Sequence, residues 1–268
     1  MKFLFSEIAL FQAVFLRSII TVPPVLLMVW VTKVTLRNLA KQDIRLIWLR
    51  VGAEICTTVA FLTALKYMPL ANVTAILQAL PLAVTMAAAL FLSEPIGWRR
   101  WSAILVGFLG VLIVVRPGLD GFNVYSLSAL AAIIFITVRE IATRKLAQEV
   151  PTITVVLSTA MGSAVFSGIM IIGAEWHTVS TSSWLLLIGA AFAVLIATLL
   201  SVMAMRTGEI GFVSPFRYTS MLGAIGLGIL MFGEWPDQLT LAGTLIIVIT
   251  GIYTFHREQK VSRGVTAS

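Results

Sequence analysis

Long apolar runs, interrupted at intervals by charge, Gly and Pro, organise this chain. Nine of them stand near residues 8 to 31, 46 to 66, 72 to 92, 99 to 115, 124 to 143, 152 to 174, 184 to 205, 212 to 232 and 239 to 255. A helix needs about 20 apolar residues to cross the hydrocarbon core of a bilayer, which is the scale of these runs. They are continuous and rich in Leu, Ile, Ala and Gly, whereas strands of a membrane barrel alternate every second residue. The pattern therefore predicts an all-α membrane protein, a polytopic helical bundle of nine spans joined by short loops.

Composition sharpens the picture. The 268 residues are 59% hydrophobic and only 12% charged, half the usual share for a soluble domain of this size. Mean hydropathy is +1.00. Disorder and collagen are excluded, little chain is left for a separate soluble domain, and the lone Cys56 excludes an internal disulfide framework. Cys56 stands in an apolar run and is expected to be a buried, reduced thiol. Met1, Lys2 and the first run could be taken for a secretory signal. The run is too long, carries Glu7 and Arg17 and has no small-residue cleavage site, so it is read as a true span.

Alternate loops are basic. Lys33, Arg37, Lys41, Arg45 and Arg50 lie in or beside the first, Arg99 and Arg100 follow span three, and Arg139, Arg144 and Lys145 follow span five. Arg206 follows span seven, and Arg257, Lys260 and Arg263 form the tail. The other side holds Lys2, Lys66 and Arg116, with Arg17 and Arg217 inside spans. Positive loops are retained in the cytoplasm, so the C-terminus is expected inside and the start of the chain outside. The net charge of +7 is topological, not a nucleic-acid footprint.

The chain also repeats itself. The stretch from Thr63 and the stretch from Met203 share a grammar of span, tight turn, span ending in an acidic turn, and further span. Laying Glu94 on Glu234 fixes a lag of 140 residues, which also pairs Thr58 with Thr198, Val73 with Val213 and Leu82 with Leu222. Five spans separate equivalent points, an odd number, so the two halves are expected to lie in the membrane with opposite orientation. The halves are 1–118, with four spans, and 119–258, with five, followed by a tail at 259–268. By the same lag, the counterpart of span five falls at about minus 16 to 3, upstream of Met1. The expected parent design has ten spans and this chain lacks the first. Either Met1 is an internal methionine of a longer frame, the favoured alternative, or the chain is a natural truncation.

AVFLRSII around Arg17, YMPLANVTAILQALPL from Tyr67, and FLSEPIGWRRWSAILVGFLGVLIVVRPG ending at Gly118 carry a resemblance, and FGEWPDQLTLAGTLIIVITGIY closes the chain as a second copy. Over nearly all its length the sequence resembles the drug/metabolite transporter (DMT) superfamily, of the EamA-type duplicated family. The resemblance implies two inverted five-helix repeats around a central cavity, lined mainly by spans two, three, five, seven and eight. The absent first helix is the departure from that pattern.

A charge at mid-membrane costs roughly 2.5 to 3.5 kcal/mol on insertion scales, so those that persist face a partner or a watery cavity. Arg17, Glu54 and Arg217 are such charges. Arg17 and Glu54 lie at similar depth and are expected to be able to pair, either as a structural ion pair or as part of the site. Glu54 is also a candidate proton carrier. In span three, Thr74, Gln78, Pro81 and Thr85 share one helix face, and their repeat-mates are Ser214, Tyr218, Met221 and Ile225 beside Arg217. The functional reading is a substrate cavity in which Gln78 and Tyr218 hydrogen-bond the ligand and Arg217 attracts an anionic group. Helix-to-helix hydrogen bonding is the structural alternative. The candidate substrate-binding residues are thus Gln78, Arg217, Tyr218, Thr74, Glu54 and Arg17.

Other polar positions read as structural. Arg139 and Glu140 sit near a span end, where the arginine is expected to snorkel to the interface. Glu94 and Glu234 cap or pair at turns. Pro23, Pro24, Pro81 and Pro215 kink or hinge helices, while Gly107, Gly110, Gly223, Gly226 and Gly228 allow close helix approach. Trp30, Trp48, Trp98, Trp101, Trp176, Trp184 and Trp235 fall near span ends as interfacial anchors.

The expected function is a secondary transporter moving a small polar metabolite across the plasma membrane, a bacterial inner membrane, by alternating access. The resemblance implies amino acids, nucleotide-like metabolites, vitamins or S-adenosylmethionine as substrate classes, and two cavity arginines tilt the reading towards a carboxylate. No GxxxxGK[ST] phosphate loop occurs, so ATP is not expected to drive it. An intramembrane enzyme would need clustered His, Asp, Glu or Cys at depth, yet His177 and His256 lie at span ends. A non-transporting subunit or a truncated inactive paralogue is the other alternative. No cofactor and no metal are expected. The expected partners are the substrate, the bilayer and a second copy in a homodimer, and not nucleic acid.

Overall fold

The computed structural model describes residues 4–5, 7–33, 39–91, 97–117, 123–207, 223–231, 233 and 235–265. Among them the chain is all helix. In order, the helices are α1 (Leu10–Thr32), α2 (Lys41–Tyr67), α3 (Leu70–Leu77), α4 (Leu80–Phe91), α5 (Trp98–Val115), α6 (Ser126–Arg144), α7 (Thr152–Met170) and α8 (Thr181–Thr207). A helix at 223–231, here α9, precedes α10 (Gln238–Val265). By length and apolarity seven candidate spans result, α3 and α4 counting as one, and α10 adds a shorter apolar stretch at Gln238–Thr254. The protein is a multi-pass membrane protein. The eighth expected span, near 212 to 232, lies largely outside the described residues.

Sequence chemistry explains the ends and breaks. Pro69 and Pro151 stand just before α3 and α7, where a missing N–H costs nothing. Lys33 and Arg116 close α1 and α5 in the left-handed region, at φ 50° and 54°, and the Arg116 N–H reaches the Leu112 carbonyl at 2.8 Å. The third span is broken at Gln78 and Ala79. Pro81 can supply no N–H to the Leu77 carbonyl and its ring crowds it, so the chain tightens there: Gln78 N–H is shared between the Thr74 and Ala75 carbonyls, at 3.1 and 3.2 Å, and Ala79 N–H reaches Ile76 at 3.1 Å. Pro23 and Pro24, by contrast, sit inside an unbroken α1.

Surface and interior are arranged for lipid. Large apolar side chains such as Leu26, Leu27, Leu109, Leu185, Leu200 and Leu245 face outward, and Trp30, Trp98 and Trp235 are exposed near helix ends. Buried hydroxyls donate back to their own helix, as with Thr85 to Pro81, Thr137 to Ile133 and Thr244 to Thr240. This leaves no unsatisfied donor at those positions, where water is absent.

Two compact units emerge, one of residues 1–58 and 138–207, the other of 59–137 and 208–268. The division falls inside α2 and α6. Within the first unit α1 packs along α7 and α8. Val25, Ile47, Val51, Val155, Val156, Leu195 and Val202 belong to its main apolar cluster, and Leu4, Ile8, Ala13, Leu16 and Leu187 form a second. Within the other unit α5 packs along α10, with α3 and α4 against both. There Gly110 and Gly243 let the backbones meet: a Cβ on either would stand 2.7 to 2.8 Å from the other's carbonyl oxygen. Gly107 likewise makes room for Leu82. No described atom lies within 4 Å of a Cβ built on Gly223 or Gly226.

Three expectations are corrected. Cys56 is free and exposed, because its position on α2 turns outward. Arg50, counted with the first basic loop, lies ten residues into α2 and is 2% exposed, so its charge belongs to the interior. Arg139 does not snorkel; its guanidinium turns inward to Glu54.

Candidate functional site

The first compact unit contains a half-open cleft of about 380 Å³. Four helices wall it. Arg17, Ser18 and Thr21 come from α1, Glu54 from α2, Val156, Thr159, Ala160 and Ser163 from α7, and Val194, Leu195 and Thr198 from α8. The α7 residues follow one face at helical spacing, as the positions 156, 159, 160 and 163 require.

Its electrostatics are uneven. Glu54 accepts a hydrogen bond from Arg139 Nη1 at 2.7 Å, and Arg139 Nη2 stands 3.6 Å from Glu140 Oε1. Glu140 is 2% exposed. One turn before Glu54, Arg50 donates through Nε to Thr143 at 2.9 Å and through Nη1 to Thr159. Arg17 is 9% exposed and makes no ion pair among the described residues. The anticipated Arg17–Glu54 contact is therefore replaced by Arg139–Glu54, while Arg17 and Glu54 face the same space.

The hydroxyls divide by what they can still do. Thr21 donates to the Arg17 carbonyl and Thr159 to the Val155 carbonyl, each at 2.8 Å, so both offer lone pairs. Ser18, Ser163 and Thr198 donate to no described residue and keep a free proton for a ligand.

Of the six candidate residues, the cleft gathers Arg17 and Glu54. Gln78 and Thr74 belong to the other compact unit. Gln78 is 3% exposed at the break between α3 and α4, and Thr74 donates its hydroxyl to the Leu70 carbonyl at 2.7 Å. Arg217 and Tyr218 lie outside the described residues, as do Glu94, Ser214, Pro215 and Glu234. Arg50, Arg139 and Thr159 are participants that sequence reading missed. A usable signal existed, since Arg50 and Glu54 are four residues apart and so share a face of α2. No group of three or more His, Cys, Asp or Glu able to hold a metal occurs among the described residues.

A second polar cluster sits in the other unit. Arg116 pairs with Asp237, Thr240 bonds both Asp237 and Asn72, and Tyr67 stacks on Tyr125 with centroids 4.2 Å apart. Asp237 lies outside the spans. Burial raises its carboxyl, but the Thr240 N–H and the Arg116 guanidinium outweigh that and hold it below its ordinary value.

A helical bundle with lipid-facing sides and a charged, hydroxyl-lined cleft is the make-up of a membrane carrier for small polar molecules. The chain belongs to the EamA-like transporter family, whose sequence profile matches residues 1–116 and 124–255. It is 30% identical over 217 residues to a riboflavin transporter of Vibrio cholerae, covering 80% of this chain and 72% of that one. A Rickettsia conorii S-adenosylmethionine uptake transporter is 27% identical over 73% of this chain and 66% of its own. This chain thus spans about two thirds of that relative's length. A pseudopaline exporter of Pseudomonas aeruginosa is 26% identical, covering 80% and 76%. These relatives are transporters, not enzymes. A solved crystal structure superimposes with TM-score 0.69 at 20% identity, over 93% of this chain and 89% of its own, a likeness of fold.

Proposed function

We propose that the protein is a secondary transporter that carries a small polar metabolite through the plasma membrane by exposing the Arg17–Glu54 cleft to one side and then the other. The substrate classes are amino-acid-like or carboxylate-bearing molecules and nucleoside- or S-adenosylmethionine-like ones. The observation that carries this reading is Arg17, nine-tenths buried in a polar cleft and unpaired among the described residues. A buried guanidinium without a counter-ion is costly, and a ligand that completes it turns that cost into affinity. Relatives named for vitamin, S-adenosylmethionine and pseudopaline transport support a metabolite as cargo.

The two halves run antiparallel in this reading, with the C-terminus in the cytoplasm. The element boundaries support the repeat: α2 spans 41–67 and α8 181–207, while α5 and α10 begin at 98 and 238, each at the same lag of 140. Gln78 and Thr74, with Tyr218 and Arg217, keep the candidate ligand-contact role that their place in the sequence suggests. Purified protein in liposomes, offered a panel of labelled metabolites, tests the reading: saturable uptake is expected, with Arg17→Gln reducing it about tenfold or more. A folded protein that moves nothing under any ion gradient would falsify transport.

A further inference from the structure

The charge a cleft prefers is set by what its own walls leave uncompensated. Around this one stand three guanidiniums, of Arg17, Arg50 and Arg139, and two carboxylates, of Glu54 and Glu140. Arg139 is committed to both carboxylates and Arg50 to the hydroxyls of Thr143 and Thr159. Among the described residues the cluster therefore holds one positive charge more than negative, and Arg17 is the cation that both faces the space and lacks an ion-pair partner.

We infer that the cleft selects a ligand of one net negative charge, seating its carboxylate on Arg17. The inference rests on the transport reading and adds the ligand's charge to it. A guanidinium offers a planar fork of N–H donors that a carboxylate fills with two parallel bonds. Ser18, Ser163 and Thr198, with free protons, supply further donors to the same anionic head. Glu54 does the opposite work. Held by Arg139 at 2.7 Å through one oxygen, it still lines the cleft and stands against a second carboxylate. A neutral analogue leaves Arg17 bare, and a dianion meets Glu54; both are disfavoured.

Matched pairs that differ in one charge test this in proteoliposomes: nicotinate against nicotinamide, and succinamate against succinate, with uridine and putrescine as neutral and cationic members. The expected result is that whatever is carried has one net negative charge and exceeds its partner by about tenfold or more, the scale at which a site rejects a ligand that leaves a buried group unpaired. Arg17→Gln is expected to bring that ratio to about one, and Arg17→Lys, which keeps the charge and loses the planar fork, to restore it only in part. Glu54→Gln shifts preference towards succinate. Thermal unfolding of each variant in detergent separates lost recognition from lost fold. Carriage confined to uridine, putrescine, nicotinamide or succinate overturns the charge inference and leaves transport standing, as does a folded Arg17→Gln that keeps the wild-type ratio. Uptake of no panel member by folded wild type, with no stabilisation of it by the monoanions, overturns both.

Discussion

Arg50 shows how much a single side chain can organise. It is long, charged and 2% exposed, and its position between α6 and α7 depends on the hydroxyls of Thr143 and Thr159. Thr159→Val keeps the shape and removes the acceptor, leaving a buried charged donor short of a bond. The variant is expected to lose about 2 kcal/mol, within the range for hydrogen bonds to charged groups, read as a lowered midpoint of unfolding in detergent. Glu7 provides a second case outside the spans. Hydrogen bonds from Ser183, at 2.5 Å, and Ser180, at 3.0 Å, hold its carboxyl below the ordinary glutamate value. Because the folded value is the lower one, this stabilisation is present above the unfolded pKa of about 4.3 and is lost as pH falls through the depressed value. Ser183→Ala should therefore lower the melting temperature more at pH 7 than at pH 3. An equal loss at both values would remove the carboxylate from the explanation. Such pairings were only partly legible in the sequence. Arg17 and Glu54 stood out because charge in an apolar run is conspicuous. Arg139 lay near a span end, where burial and snorkelling look alike until the neighbouring helix is placed.

At the scale of elements, local chemistry was the better guide. Apolar length fixed α1, α2 and α5 to α8 within a few residues, since lipid thickness imposes it. The break between α3 and α4 follows from Pro81, whereas the paired prolines of α1 leave it continuous, a difference set by packing and not by composition. Glycines likewise divide by what they meet. Gly243 stands where a Cβ would press on the Gly110 carbonyl oxygen and on Val114, each at 2.7 Å. Gly243→Val is expected to cost about 1 to 3 kcal/mol, since backbone cannot step aside as a flexible side chain can. Gly189→Ala in α8, with nothing within 4 Å, should be neutral or stabilising. Unfolding midpoints of the two variants, measured side by side, check the contrast. Equal effects would mean that the contact between α5 and α10 is looser than described.

For the whole molecule, the division that sequence suggests and the one that packing makes are different. Sequence halves follow one another, while each compact unit draws helices from both: α1 with α7 in one, α5 with α10 in the other. The lag of 140 residues revealed the repetition, but no one-dimensional pattern states which copies will touch. Orientation rests on the basic loops, from which Arg50 and Arg139 must now be withdrawn because their charges point inward. The remaining bias still favours the proposed cytoplasmic tail. A fluorescent protein fused after Ser268 is expected to light up in the cytoplasm, and an alkaline phosphatase at the same point to stay inactive; the reverse pattern would invert the topology.

Glu54 and Val194 are repeat-mates, 140 residues apart, and both line the cleft. So do members of the matching helices α1 and α7. Twin walls, one with a guanidinium and a carboxylate and the other with only hydroxyls and aliphatic groups, make the chamber lopsided, as a mould is for an asymmetric casting. In the proposed transport reading an anionic group on the cargo is drawn to the wall that carries Arg17, which seats the cargo one way round.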